Sequence, residues 1–312
     1  MVISASMVSE LRAKTGCGLM ECKKALTQAE GNFDEAIKIL RESGNAVAAK
    51  KAGRVAAEGL VDITLSEDGK TAVMIEVNAE TDFVAKNEKF VEFVKGLEAT
   101  ILAKRPADVE ELKKLQYLDT EFTVEGKLTD MIATIKENMS IRRFVVVEGV
   151  LATYIHGKGT TGVIVKFDAD DSVLSKPGFA EFARNVALHV AGVTPTPVYL
   201  DKESVPAEAY NAEKEIQLNM MKNDPKNANK PDAILEKMIV GKMNKFYSNV
   251  CLVEQPYVKD DSITVGKYVE NGAKEFGTAI KLAGFYTYEK GEGIEKREDN
   301  FADEIAKLTH KN

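Results

Sequence analysis

The chain is poor in the residues that carry metal and redox chemistry. Its 312 residues include three cysteines, Cys17, Cys22 and Cys251, and three histidines, His156, His189 and His310. The cysteines form neither a zinc-ligand spacing nor a CxxC pair, so no Cys/His metal centre and no cofactor are expected. The odd cysteine count fits a reducing compartment. No window approaches the ~18 consecutive apolar residues of a membrane-spanning helix. The first residues carry Glu10, Arg12 and Lys14 where a secretory peptide would be apolar. The expectation is a cytoplasmic protein without membrane contact.

Reaction-centre motifs are missing too: there is no Walker loop, no GxGxxG after a strand and no GxSxG elbow. The net charge of −7 speaks against a dedicated nucleic-acid binder, whose affinity rests on phosphate neutralisation. Lys50-Lys51 with Arg54, and Arg142-Arg143, read as solvated faces. His156 lies in the glycine-rich stretch His156-Gly157-Lys158-Gly159, which reads as a hairpin turn. His189 sits on an apolar helix, where it is partly buried or at an interface. The balance points to a binding protein, not an enzyme.

What is present is a core-forming chain, 44% hydrophobic, long enough for two or three domains. Residues 1–45 read as three short helices, the third starting at Asn32 with Glu35 behind it and ending at Gly44. Between the first two, Thr15-Gly16-Cys17-Gly18-Leu19-Met20 places two large apolar residues at a helix start. These are a contact surface or core. The module resembles ubiquitin-associated domains, which bind proteins. Residues 46–57 read as an alanine- and lysine-rich linker with good helix propensity. A first core subdomain follows at 58–147, with a hairpin turning at Asp68-Gly69, an alternating half-buried strand Val73–Val77 and an amphipathic helix carrying Phe90, Phe93, Val94 and Leu97.

A second core subdomain, 148–290, repeats that order. Glu58-Gly59 is matched by Glu148-Gly149, and Phe90-Val91-Glu92-Phe93 by Phe179-Ala180-Glu181-Phe182, 89 residues on. It is interrupted at 204–248 by two helical stretches, Val205–Met221 and Pro231–Tyr247. In the latter Leu235, Ile239 or Met238, Lys242 or Met243, and Phe246 keep helical spacing, which suggests an antiparallel helical arm. A C-terminal module at 291–312 closes the chain with a short helix, Phe301–Leu308. The fold class expected is α+β with antiparallel sheets.

The duplication isolates one segment. Thr81-Asp82-Phe83-Val84-Ala85-Lys86-Asn87 joins a strand to a helix and carries an aromatic residue, whereas the second copy has Asp168–Gly178, an acidic turn without one. A structural plug should be needed twice, so Phe83 is read as a partner anchor.

Taken together, TGCGLMECKKAL (Thr15 to Leu26), TDFVAKN (Thr81 to Asn87), SIRR (Ser140 to Arg143), His189-Val190 and GEGIEK (Gly291 to Lys296) resemble the bacterial translation elongation factor Ts family over essentially the whole chain. The resemblance implies a nucleotide exchange factor for the GTPase elongation factor Tu, in its GDP-bound and nucleotide-free forms, with a coiled-coil arm. A homodimer in a 2:2 complex is compatible with it. It implies that Thr81, Asp82, Phe83 and Val84 form the loop that displaces Mg²⁺. Leu19, Met20 and Lys23 would touch the partner, as would Thr161, Gly162 and His189, with Thr161 standing where an aliphatic residue is expected. Two alternatives are a general adaptor acting through the first 45 residues and an enzyme acting through Cys17 and Cys22.

Overall fold

The computed structural model describes residues 3–15, 17–118, 120–227, 230 and 232–295. Its elements are mixed helix and antiparallel sheet, an α+β fold. The described residues of Met1–Val61, Ile75–Phe144 and Glu289–Asn312 make one compact unit, and Asp62–Met74 with Val145–Tyr288 make another.

The first unit begins with α1 (Ala5–Thr15), α2 (Leu19–Gln28) and α3 (Phe33–Lys51). Leu11, Cys22, Ala25, Leu26 and Ala36 close a small core among them. The Asn32 side chain caps α3 by accepting from the N–H groups of Asp34 and Glu35, at 2.9 and 3.2 Å. The helix does not stop at Gly44, and residues 46–51 are helical instead of a linker. Two causes combine. Ala46, Ala48, Ala49, Lys50 and Lys51 are good helix formers. Gly44 faces α7 (Val124–Ile135), where an added Cβ would already lie 3.5 Å from that of Ala133. The glycine lies mid-helix against α7 and does not end the helix.

Strands β1 (Glu58–Leu65), β2 (Thr71–Ala79) and β3 (Met139–Glu148) form a sheet in the order β1-β2-β3. Helices α4 (Asp82–Ala85), α5 (Glu88–Lys104), α6 (Val109–Lys114) and α7 lie between β2 and β3 in sequence. The α5 face formed by Phe90, Phe93, Val94 and Leu97 is buried as expected. The β2 reading needs correction, because every residue of that strand is buried. Alternation is real, with Val73, Ile75 and Val77 on one side and Met74, Glu76 and Asn78 on the other. The polar side is closed all the same: the Glu76 carboxylate and the Asn78 Nδ2 group are hydrogen-bonded, while Asn78 Oδ1 is buried without a partner.

Glu76 is fully buried. Its carboxylate accepts from Arg142 Nη1 at 2.9 Å, Arg143 Nε at 2.7 Å, Asn78 Nδ2 at 3.0 Å and the Gly291 N–H at 2.8 Å. The two guanidiniums also reach the returning chain. Arg142 donates to the Glu292 carbonyl, and Arg143 pairs with the Glu292 carboxylate at 2.9 Å. Arg142-Arg143 is therefore a buried-anion clamp and not a solvated face. What it clamps is the start of GEGIEK, Gly291 and Glu292.

In the second unit β4 (Val150–His156) and β5 (Thr161–Ala169) pair antiparallel, from Val150 opposite Phe167 to His156 opposite Thr161, and β8 (Ile280–Glu289) completes the order β4-β5-β8. The His156–Thr160 stretch is the hairpin turn. Helix α8 (Phe179–Gly192) packs Phe179, Phe182, Val186 and Val190 into a core with Phe167, Leu252 and Ile280. Helices α9 (Ala207–Asn223) and α10 (Asp232–Val250) pack on each other through Met221, Ile239 and Met243.

The short hairpin of β6 (Pro256–Tyr257) and β7 (Asp260–Thr264), and helix α11 (Val265–Phe276), were absent from the sequence reading. Their signals exist: Thr264 caps α11 by accepting from Lys267 N–H, and Gly277 ends it with φ +63°. The helix expected at Phe301–Leu308 lies outside the described residues.

The glycines matched in the sequence comparison share a backbone conformation. Gly59 and Gly149 hold φ values of +122° and +130° at matching places. At Gly59 an added Cβ would meet the Val77 carbonyl at 2.1 Å, so only glycine fits.

Burial pushes the Glu76 carboxyl up, but the Gly291 N–H, Asn78 and the two arginines outweigh it and hold it below the ordinary 4.5. A depressed carboxyl adds stability that is present above pH 4.5 and is lost as pH falls through the folded value. Glu76→Gln should cost roughly 3 kcal/mol at pH 7, since both guanidiniums keep some solvent contact. Denaturant titrations from pH 7 to 3 should show that the variant's stability falls less than the parent's.

Candidate docking site

The site is built on one helical turn that cannot hold itself. With four residues, α4 is far below the length at which a helix is stable alone. Its one buried side chain is Val84, 6% exposed, and Phe83 beside it is 80% exposed. The Phe83 ring is not a core plug. The Lys86 ammonium lies 5.9 Å from the ring centroid and pairs with Asp82 at 2.6 Å, and that hydrogen bond holds the Asp82 carboxyl below its ordinary range. The exposed tip is thus an aromatic ring flanked by an acid and a base.

Thr81 caps the turn, its Oγ1 accepting from the Val84 N–H at 3.4 Å. A second contact comes from the far end of α7. Glu137 accepts from the Thr81 N–H at 3.0 Å and from the Thr81 hydroxyl at 2.8 Å. Its neighbours are fixed as well. Lys136 pairs with Glu21 at 2.8 Å, and the Asn138 N–H donates to Glu80 at 2.6 Å. The Asn138 amide donates to the Arg54 carbonyl at 2.7 Å. These residues were missed from the sequence. A carboxylate 56 positions from its partner leaves no spacing signal, and Lys136-Glu137-Asn138 looks like any polar helix-to-strand loop.

The turn of the second copy can be compared residue by residue. Its turn is the 3₁₀ segment Asp171–Ser175, capped by Asp170, which accepts from the Ser172 N–H at 2.9 Å. Val173 is fully buried there. Counting from the cap, Val173 matches Val84, and Phe83 is matched by Ser172, which is exposed. Each copy has its plug, a valine, and Phe83 is additional to it.

Leu19, Met20 and Lys23 lie together on the solvent side of α2, opposite Cys22, Ala25 and Leu26. Leu19 is 47% and Met20 72% exposed, so neither is core. Glu21 accepts from the Gly18 N–H at 3.2 Å and carries the ion pair to Lys136. Within this unit, the consecutive residues Lys136 and Glu137 therefore hold the supports of both exposed apolar patches.

In the second unit Thr161 is half-buried and Gly162 buried at the start of β5. His189 is fully buried. Its Nε2 faces Gln255 Oε1 at 3.1 Å, and its Nδ1 accepts from the Val258 N–H at 3.1 Å. Burial lowers the imidazole's pKa, against a smaller raising effect of Gln255, so the ring is neutral at pH 7. For it to touch a partner directly, Gln255 or Val258 must let go.

Cys17, Cys22 and Cys251 are buried and unbridged. Burial raises the thiol pKa of Cys17, with a smaller lowering by Thr15, and pushes that of Cys251 to about 11. Thiolate is the reactive form, so the Cys17/Cys22 reading loses its support. Among the described residues no group of three or more His, Cys, Asp or Glu could hold a metal, and no helix is long and apolar enough to cross a membrane.

Exposed apolar side chains on braced, polar-rimmed supports are the features of a docking protein. The family model described as elongation factor TS matches residues 80–292. Elongation factor Ts of Syntrophotalea carbinolica is 48% identical over 99% of this chain and 100% of its own. That of Clostridium botulinum strain Eklund 17B is 45% identical over 98% and 99%, and that of Trichlorobacter lovleyi 43% over 98% of each. The chain belongs to the elongation factor Ts family.

Plug and tip should separate in stability measurements. Phe83→Ala should melt within ~0.5 kcal/mol of the parent, because the ring buries little. Val84→Ala and Val173→Ala should each cost about 1.5 kcal/mol through two lost buried carbons. A Phe83→Ala loss as large as that of Val84→Ala would return the ring to the core.

Proposed function

We propose that the protein accelerates GDP release from elongation factor Tu, with Phe83 as the wedge. The observation that carries this is an aromatic side chain held in solvent by a clamped turn that does not need it for packing. Asp82 and Phe83 enter the GTPase domain, the ring inserts between two helices near the nucleotide, and the groups around Mg²⁺ are disturbed. With Mg²⁺ displaced, the GDP phosphates lose their main neutralising charge and the nucleotide leaves. Leu19, Met20 and Lys23, on a helical module similar to ubiquitin-associated domains, supply a second contact. Thr161 and Gly162 supply a third, which His189 joins once Gln255 or Val258 releases it, and α9–α10 serves as a coiled-coil arm.

The adaptor alternative requires residues 1–45 to act alone. It is weakened by α3, which continues to Lys51 and packs on α7. No chemistry of the chain's own is needed. Exchange is a coupling between two ligands on the GTPase, and the coupling is reciprocal: if this protein weakens GDP binding, GDP weakens binding of this protein by the same factor.

Titrating GDP into the binary complex should therefore dissociate it, and a complex equally tight with and without GDP would overturn the reading. In stopped-flow release of labelled GDP, Phe83→Ala should lower the rate at saturating factor by about thirtyfold, as expected for a truncated aromatic anchor. Leu19→Ala with Met20→Ala should instead raise the half-saturating concentration, with the saturating rate nearly unchanged.

A further inference from the structure

We infer that Glu137 is the positioning residue of the Phe83 turn, holding the wedge in its productive orientation without touching the partner. The inference rests on the exchange reading above and extends it to a residue that is neither on the turn nor near it in sequence.

Three observations carry it. The turn has almost no packing of its own: α4 is a single turn, Val84 is its one buried side chain, and Phe83 stands in solvent. What fixes its first residue is Glu137, one carboxylate engaging both the backbone N–H and the hydroxyl of Thr81. Such hydrogen bonds to a charged acceptor are among the stronger ones a surface segment can make. With its proton committed to Glu137, the Thr81 oxygen turns a lone pair to the Val84 N–H.

The mount is itself rigid. Glu137 sits between Lys136, which ends α7 in the left-handed region at φ +67°, and Asn138, which is tied to Glu80 and Arg54. Met139, at the start of β3, is buried.

The duplicated copy supplies the contrast. There the cap is Asp170, whose own side chain closes the turn on the Ser172 N–H. An aspartate is as good an N-cap as a threonine, or better, so capping alone does not explain Thr81. Threonine differs from aspartate in carrying a hydroxyl proton, which an outside carboxylate can hold. The donor-bearing cap with its remote acceptor occurs in the copy that displays the aromatic ring, and the self-sufficient cap in the copy that displays Ser172.

A structural residue and a positioning residue make different predictions. With the full-length protein and GDP-loaded elongation factor Tu, Glu137→Ala should lower the saturating GDP-release rate about tenfold. It should leave the half-saturating concentration within about twofold, because docking through Leu19 and Met20 persists. Glu137→Gln, which keeps one acceptor and the shape, should fall between. In a Phe83→Ala background, Glu137→Ala should have less than a twofold effect, the coupling expected of one group acting through another.

An unchanged saturating rate, or an equal loss with and without Phe83, would overturn the inference. Hydrogen exchange of the free protein tests the clamp without any partner. The Val84 amide should exchange at least tenfold faster in Glu137→Ala, and an unchanged rate would also overturn it. A parent protein that leaves GDP release unaltered would overturn the exchange reading itself, a result distinguishable from both.

Discussion

A carboxylate placed where water does not reach governs the first unit. Glu76 lies in the central strand of its sheet, and an ionised side chain there is tenable only if cations and N–H donors surround it. That requirement accounts for several features at once. Strand β3 carries two consecutive arginines, a sharp glycine-containing turn presents its backbone N–H at Gly291, and Asn78 is buried on the same face. The docking turn inherits its placement from this arrangement. Thr81 follows β2 by two residues and Glu137 precedes β3 by two, and these are adjacent strands of the sheet. The hydrogen bonds between them extend the lock of Glu76 with Arg142 and Arg143 past the strand ends. The site's geometry is therefore set by the sheet, although its residues lie in a loop.

Periodicity made much of this readable beforehand. The α5 face, the two hairpins and the helix pair α9–α10 follow apolar spacing that admits few alternatives. The 89-residue offset pointed to a frame used twice. What escaped the sequence depended on partners far along the chain. Glu76 and Asn78 look like the wet side of a half-buried strand until Arg142, Arg143 and Gly291 are placed beside them. Gly44 looks like a helix end until Ala133 is seen opposite. His189 was left between core and interface because its neighbours Gln255 and Val258 are more than sixty residues away. Phe83 was conspicuous for being out of place in a loop, whereas Glu137, the residue that holds its turn, was ordinary in its own.

The duplication shows how a surface can be altered without disturbing a fold. Both copies keep a cap, a buried valine three positions on and two phenylalanines in the following helix. Between cap and valine lie two positions that packing does not constrain, occupied by Asp82-Phe83 in one copy and Asp171-Ser172 in the other. A bulky apolar residue costs little stability there, since nothing has to move to admit it. Orientation does need provision, and it comes from outside the turn.

The route of the chain through the first unit bears on how the protein is made. Glu76 contacts Arg142 66 residues later but Gly291 only 215 residues later, after the whole β4–β8 segment has been synthesised. At ~5–20 residues per second the stretch from Arg143 to Gly291 takes on the order of 7–30 s. The second unit, whose last strand ends at Glu289, has its sheet complete before the first receives its final hydrogen-bond donor. During that time Glu76 and its arginines form a half-closed polar cluster on a nascent chain. Stopping synthesis shortly before Gly291 would leave a molecule with every strand made and its buried charge still unsealed.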